Sequence, residues 1–148
     1  MLMDADLSHD PDAIPLFLKE IESADAVFGS RYLNGVRVNN WSFKRLLLSK
    51  LSNDFIRLGL RIDSTDTTTA FKCFRRHVIE SIGVEHFTGK QNAFLIELVH
   101  GTLKNGFKTK EVPFMFFERE EGESKMEMRV AAESRATVLR LFVLSWLK

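Results

Sequence analysis

Residues 11–32 read P-D-A-I-P-L-F-L-K-E-I-E-S-A-D-A-V-F-G-S-R-Y, and this stretch decides the fold class. Pro11 near the start, with Ile14, Phe17, Leu18 and Ile21 on one face, predicts a helix over residues 11–23. The apolar run D-A-V-F-G at 25–29 then predicts a short buried strand that delivers Ser30, Arg31 and Tyr32 at its end. A helix feeding directly into a buried strand is the repeating unit of an α/β domain.

The rest of the chain continues the alternation. Residues 33–40 carry Asn34, Gly35, Asn39 and Asn40 and read as a loop. A long helix is predicted from Trp41 to about Leu60, with Leu47, Leu48, Leu51, Phe55 and Leu58 as its apolar stripe. The run D-S-T-D-T-T-T at 63–69 favours side-chain-to-backbone bonding and predicts a loop. Ala70 to Phe74 reads as a strand, His77 to Ile82 as a short helix ended by Gly83, and Asn92 to Lys104 as a helix ended by Gly106. Pro113 breaks the β-like run from Phe107 to Phe117 into two short strands or an edge. Residues 118–128 are a polar loop, and from Arg129 the chain is helical and increasingly apolar. The chain opens with only Met1, Leu2 and Met3 before Asp4, as though a buried strand had lost its beginning.

Composition narrows the function classes. At 148 residues, 45% of them hydrophobic, the chain is one domain, long enough for a core and too apolar for disorder. Twenty acidic residues nearly cancel 21 basic ones, which argues against a global polyanion binder. The basic residues lack an aromatic stacking platform or a nucleic-acid motif, so nucleic acid is not an expected partner. The single Cys73 excludes a disulfide framework and a cysteine-built zinc site. No secretory signal is visible, so the expected compartment is intracellular and reducing. Charge is nonetheless segregated. Residues 1–25 hold seven acids against Lys19, and residues 31–61 hold seven bases against Asp54. The acidic block suits a divalent cation and the basic one phosphates or an anionic membrane, although two solvated faces would look the same.

Individual motifs are suggestive and open. In D-A-D-L-S-H-D-P (4–11), Asp4 and Asp6 face the same way on an extended segment and can approach one cation. An EF-hand register starting at Asp4 fails, because His9 and Pro15 stand where glycine and glutamate are needed. Trp41, Arg45, Ser49 and Asn53 recur every four residues and form one slanted ridge on a helix. Arg45 and Ser49 can both donate to a phosphate, and the same ridge also fits a polar stripe opposite the leucine face. G-E-S-K at 122–125, preceded by Arg119, suits an anion but lacks the second glycine of a Walker loop. His9, His77, His86 and His100 show no ligand spacing and are expected to be structural or on the surface.

The ordered combination is more specific than its parts. D-A-D-L-S-H-D-P, G-S-R-Y (29–32), W-x-x-x-R-x-x-x-S-x-x-x-N (41–53), D-T-T-T-A-F-K (66–72), E-V-P (111–113) and R-E-E-G-E-S-K (119–125) follow one another along the chain. Together they resemble the polyprenol/dolichol-phosphate mannose synthases, within the family 2 glycosyltransferases of GT-A fold, over nearly all 148 residues. The resemblance implies an α/β, Rossmann-like GT-A domain over residues 1–128 and a C-terminal amphipathic helix over 129–148. It implies that Asp4 and Asp6 hold Mg²⁺ or Mn²⁺ on a sugar-nucleotide diphosphate, with Arg31 facing the phosphates. Arg45, Ser49 and Asn53 would hold the lipid phosphate, and Arg119, Ser124 and Lys125 would close over donor and acceptor. Asp66 matches an aspartate near the acceptor, so the implied catalytic set is Asp6, Arg31 and Asp66.

The implied reaction is inverting transfer of mannose from GDP-mannose to a polyprenyl phosphate, at the cytoplasmic face of a membrane that the protein touches peripherally. Two departures stand out: Ala70 replaces the family's usual glycine, and the family's nucleotide-reading segment ahead of the D-x-D is missing. The chain is therefore expected to be the C-terminal portion of an incomplete GT-A domain, inactive alone. Two alternatives stay open, a hexosyl transferase using a UDP-sugar and a non-catalytic remnant that binds membranes or a partner. The apolar segment 137–148 spans about 18 Å as a helix, too short for a ~30 Å hydrocarbon core. Arg135, Arg140, Trp146 and Lys148 suit an interfacial helix, and packing on the core is the other possibility.

Overall fold

The computed structural model describes residues 1–118 and 128–146. The helices are α1 (Ile14–Glu20), α2 (Phe43–Leu60), α3 (Arg76–Ile82), α4 (Asn92–Lys104) and α5 (Met128–Trp146), and the strands are β1 (Ala26–Ser30), β2 (Lys72–Phe74) and β3 (Thr109–Pro113). Single turns of tighter helix, Pro11–Ala13 and Ile21–Ser23, flank α1 and complete the helical span expected over 11–23. β1 is central and buried at every residue. It pairs antiparallel with β2, where Phe28 faces Lys72, and parallel with β3, where Phe28 faces Glu111. The far side of Lys72 bonds to the chain start, through Leu2 N to Lys72 O at 2.7 Å and Lys72 N to Leu2 O at 3.0 Å.

Period-two alternation divides the core between the two faces of the sheet. Val27 packs with Phe17, Phe71, Val112, Phe114 and Phe116 beneath α1. Ala26 and Phe28 pack on the other face with Ile56, Leu60, Ile96, Val99 and Val138 from α2, α4 and α5. Helices on both faces of one sheet make the domain α/β, as the alternation of elements predicts. Gly29 lets the two layers close, since a Cβ there would lie 2.9 Å from Phe71 O and 3.0 Å from the Phe17 and Phe114 rings.

Two details differ from the sequence expectation. Strand β2 starts at Lys72 rather than Ala70, because Thr69 and Ala70 still belong to the loop that wraps the site. The larger difference is α2. Its apolar stripe faces outward, with Leu47 46%, Leu51 55% and Leu58 73% exposed. Asn53, Ile56 and Leu60 face inward instead. Hydrophobic periodicity locates a stripe but does not say which side the sheet occupies. At the C-terminus, α5 lies on the body of the domain. Val138 packs where a Cβ at Gly59 would be 3.1 Å away, and Arg140 pairs with buried Glu97 and with Thr88.

This orientation of α2 is testable by mutation. Ile56→Ala is expected to cost about 2–5 kcal/mol in chemical denaturation. Leu58→Ala removes a side chain of the same size from an exposed position and should stay within about 0.5 kcal/mol of the parent.

Candidate functional site

The site begins where β1 ends. Arg31 leaves the strand and turns its guanidinium onto Asp66, with Nε to Oδ2 at 2.6 Å and Nη2 to Oδ1 at 2.8 Å. The Arg31 backbone N–H donates to the same Oδ2 at 3.1 Å, and Nη2 also reaches Thr68 Oγ1 at 3.0 Å. Asp66 is fully buried and Arg31 nearly so. Burial by itself would push the Asp66 carboxyl up, but the charge and hydrogen bonds of Arg31 outweigh it and hold the group below the usual carboxylate range. In the same way burial works against the Arg31 cation, and Asp66 more than restores it.

The polar ridge on α2 explains why the 63–69 loop can be buried. Asn53 Oδ1 accepts from Thr67 N at 2.8 Å and Thr67 Oγ1 at 2.9 Å, while Nδ2 donates to Ser49 O at 3.1 Å and Thr68 Oγ1 at 3.3 Å. Ser49 Oγ accepts from the Tyr32 hydroxyl at 2.7 Å. Glu111 on β3 holds the loop's other end, accepting from Ser64 Oγ, Thr65 N and Thr65 Oγ1. Since the Thr65 hydroxyl donates to Glu111, Ser30 Oγ must donate across the 2.6 Å contact to Thr65. Ser30 Oγ in turn accepts from Tyr32 N and Leu33 N and shapes the turn that aims Arg31.

Trp41 joins the two basic residues of the motifs. Its ring lies 5.3 Å from the Arg31 guanidinium carbon and 4.2 Å from that of Arg45. Arg45 also pairs with Glu118 at the end of the segment after β3. Arg31, Arg45, Ser49, Asn53 and Asp66 therefore form one continuous network. Arg119, Ser124 and Lys125 lie outside the described residues. A cleft of about 660 Å³ lined by Arg61, Ile62, His100, Lys104 and Phe142 contains none of the motif residues.

The D-x-D lies on a tight turn. Ser8 N and Oγ both donate to Asp6 Oδ1, and the turn puts Leu7 in the left-handed region at φ 61°. His9 then folds back, its Nδ1 accepting from Asp4 N at 3.2 Å and its ring stacked on Phe71 at 5.0 Å. An accepting Nδ1 leaves the proton on Nε2, toward Thr69 Oγ1 at 3.4 Å. Burial lowers the His9 pKa against the pull of Asp4 and Asp6, with Arg31 and Lys72 adding to the lowering. His9 and Arg31 both lie against the Phe116 ring, at 5.7 and 5.5 Å, which brings the D-x-D turn beside the Arg31 network. Among the described residues no group of three or more His, Cys, Asp or Glu side chains gathers around one point. Two carboxylates fit a hard cation such as Mg²⁺, which is commonly held by one or two carboxylates plus substrate phosphates, and not a metal resident in an all-protein cage.

Lys72, Glu111, His9 and Glu118 are site elements that sequence patterns missed. His9 could have been found by its proximity to the D-x-D, but its partner is a backbone amide, which leaves no spacing signature. Lys72 carries no sequence signal beyond its place in D-T-T-T-A-F-K. Its side chain is fully buried, its Nζ has no hydrogen-bond partner among the described residues, and it lies 5.3 Å from the Phe28 ring. Burial lowers its pKa to about 8, opposed by Asp66 and Glu111 and assisted by Arg31.

Lys72 gives the fold a pH signature. Between about pH 8 and 10.5 the folded chain binds fewer protons than the unfolded chain, so stability rises with pH across that window and is lost as pH falls through 8. Lys72→Met should raise the melting temperature at pH 7.5 and reduce its rise between pH 7.5 and 9.5. Asp66→Asn should instead cost about 3–5 kcal/mol, because it leaves the Arg31 charge buried without its counterion.

Comparison with known proteins identifies the family. Residues 1–83 match the family described as Glycosyl transferase family 2. The chain is 41% identical over 125 residues to a polyprenol monophosphomannose synthase of Mycolicibacterium smegmatis, covering 84% of this chain and 47% of that protein. It is 33% identical over 138 residues to an undecaprenyl-phosphate mannosyltransferase of Micrococcus luteus, covering 93% of this chain and 57% of the relative. The chain thus spans about half the length of these curated relatives. With a family match over more than half of its residues, this chain, folded as an α/β domain, belongs to glycosyl transferase family 2.

Proposed function

We propose that this protein transfers mannose from GDP-mannose to a polyprenyl phosphate with inversion at the sugar C1, as part of a longer synthase. The observation that carries it is the convergence of Arg45 and Arg31 on the Trp41 ring, with Arg31 held by Asp66 and sharing the Phe116 ring with His9 of the D-x-D turn. That arrangement suits a reaction between two anions. The names of the two relatives, a polyprenol monophosphomannose synthase and an undecaprenyl-phosphate mannosyltransferase, support the choice of sugar and lipid.

A prenyl phosphate is already anionic at neutral pH, so its oxygen attacks C1 without a general base. The new bond forms between phosphate oxygen and C1, the C1–diphosphate bond breaks, and the electron pair leaves with the nucleoside diphosphate. Asp4 and Asp6 are the residues that would hold Mg²⁺ or Mn²⁺, which supplies positive charge to the leaving diphosphate. His9 fixes the Asp4 backbone and Ser8 fixes the Asp6 carboxylate, so the pair is oriented before substrate arrives. Arg31, held rigid by Asp66, places a cation near the phosphates without side-chain freedom to lose. Arg45 and Ser49, on successive turns of α2, present donors to the lipid phosphate. Arg119, Ser124 and Lys125 complete the proposed phosphate contacts.

The reading includes contact with the cytoplasmic face of a membrane, and the outward apolar face of α2 supports the membrane contact. Phe43, Leu47, Leu51, Phe55 and Leu58 are exposed, and Lys44, Lys50 and Arg57 flank them. The proposal assigns residues 1–128 to the catalytic domain and residues 129–148 to a helix that adds to the interface. No helix among the described residues is long and apolar enough to cross a membrane.

Transfer of labelled mannose from GDP-mannose into butanol-extractable lipid by the native protein from its own cells tests the proposal. Asp6→Ala should lower turnover at least about 100-fold, and Arg45→Ala should chiefly raise KM for the prenyl phosphate. Incorporation from UDP-glucose in place of GDP-mannose would overturn the donor assignment. Binding to anionic liposomes should weaken in Leu51→Asp and Phe55→Asp, and unchanged binding would remove α2 from the membrane face.

A further inference from the structure

Two arginine–carboxylate pairs meet at the Trp41 ring, and they are built differently. Arg31 and Asp66 are buried, joined at two guanidinium nitrogens, and reinforced by a backbone amide and Thr68. Arg45 meets Glu118 through Nη1 alone, with the two side chains 25% and 36% exposed. The first pair is part of the fold. The second is partly hydrated and made at one nitrogen, the kind of ion pair whose net contribution is small and whose exchange for another anion is easy.

The backbone holds Glu118 at this place. Phe116 N donates to Arg37 O at 3.0 Å, and Phe117 N donates to Ser8 O at 3.0 Å, directly after the D-x-D. The chain is therefore fixed up to the residue before Glu118, on the donor side of the site, and the side chain reaches to Arg45 on the acceptor side. One face of the Arg45 guanidinium lies on Trp41, so an anion must approach its edge, where Glu118 already is. Trp41 Nε1, buried and without an acceptor among the described residues, lies on the ring beneath that guanidinium.

We propose that Glu118 is a resident anion at the acceptor-phosphate position, holding Arg45 in place of the lipid phosphate and leaving when a phosphate monoester binds. This rests on the assignment of Arg45 to the acceptor. A phosphate takes the guanidinium fork at two nitrogens and carries more charge than the carboxylate, so it displaces the single-nitrogen contact. In the absence of lipid, Glu118 keeps Arg45 extended on Trp41 and discourages weakly charged anions. Glu118 thus makes the site selective for a phosphate over a carboxylate, and it connects acceptor binding to the strand segment anchored at the D-x-D turn.

The test is calorimetric titration of the 148-residue chain with geranyl phosphate, with geraniol and inorganic phosphate alongside. Glu118→Gln should bind geranyl phosphate about 3–10-fold more tightly than the parent and should also gain affinity for acetate. Arg45→Gln should bind it weakly, and Arg45→Gln/Glu118→Gln should show no gain over Arg45→Gln. An equal gain with inorganic phosphate supports the proposal and identifies the phosphate, not the prenyl chain, as the group Glu118 displaces. Unchanged or weaker binding by Glu118→Gln, with binding still lost in Arg45→Gln, would overturn the role of Glu118 and leave the acceptor assignment standing. A gain that persists without Arg45 would also overturn it, as a general charge effect. Full binding by Arg45→Gln would remove the acceptor assignment and this proposal with it. Melting temperatures of the variants establish that each is folded.

Discussion

The buried pair between Arg31 and Asp66 is the constraint on which the rest of the site depends. A charged pair inside a protein is tolerated only when its hydrogen-bonding capacity is met, and here both carboxylate oxygens and the strand-exit amide are used. Meeting that demand requires the 63–69 loop to lie against the end of β1. A buried loop must in turn satisfy its own backbone, which Asn53 does from α2 and Glu111 does from β3. The orientation of α2 follows from this requirement, because its polar ridge has to face the loop. Its leucines then have no interior left to fill.

This accounts for an unusual distribution of polarity. The side of α2 richest in leucine is in solvent, and the side turned inward carries Ser49 and Asn53 above Ile56 and Leu60. In an isolated soluble domain such an exposed stripe is a liability. Under the proposed function it is an asset, since the helix assigned the phosphate donors also bears the apolar face. Lys72 belongs to the same economy of charge. Its buried ammonium stands on the sheet face shared with Phe28 and Glu111, where the carboxylates of Asp66 and Glu111 favour its charge and burial opposes it.

Much of the fold was legible from local patterns. The helix at 11–23, the strand through Val27 and Phe28, the Ser42-capped helix and the stop at Gly83 are all set by interactions within a few residues, so periodicity and capping rules find them. The motif residues were legible as a set because their order along the chain is distinctive. What local patterns miss is partnership. His9 answers an amide five residues away, Glu111 answers a threonine 46 residues away, and Glu118 answers an arginine 73 residues away. None of these leaves a mark in spacing.

By itself, the sequence determined the α/β class, the position of nearly every element and the family, because each depends on short-range pattern or on motif order. Only the tertiary structure decided which face of α2 is inside, which carboxylate holds which arginine, and that Arg31 is locked while Arg45 is held at a single nitrogen. The physical reason is that burial and counterion choice are properties of what packs against a residue. For Arg31, Arg45 and Lys72 those neighbours come from strands and loops 35 to 73 residues away along the chain, or from strands on either side of the sheet.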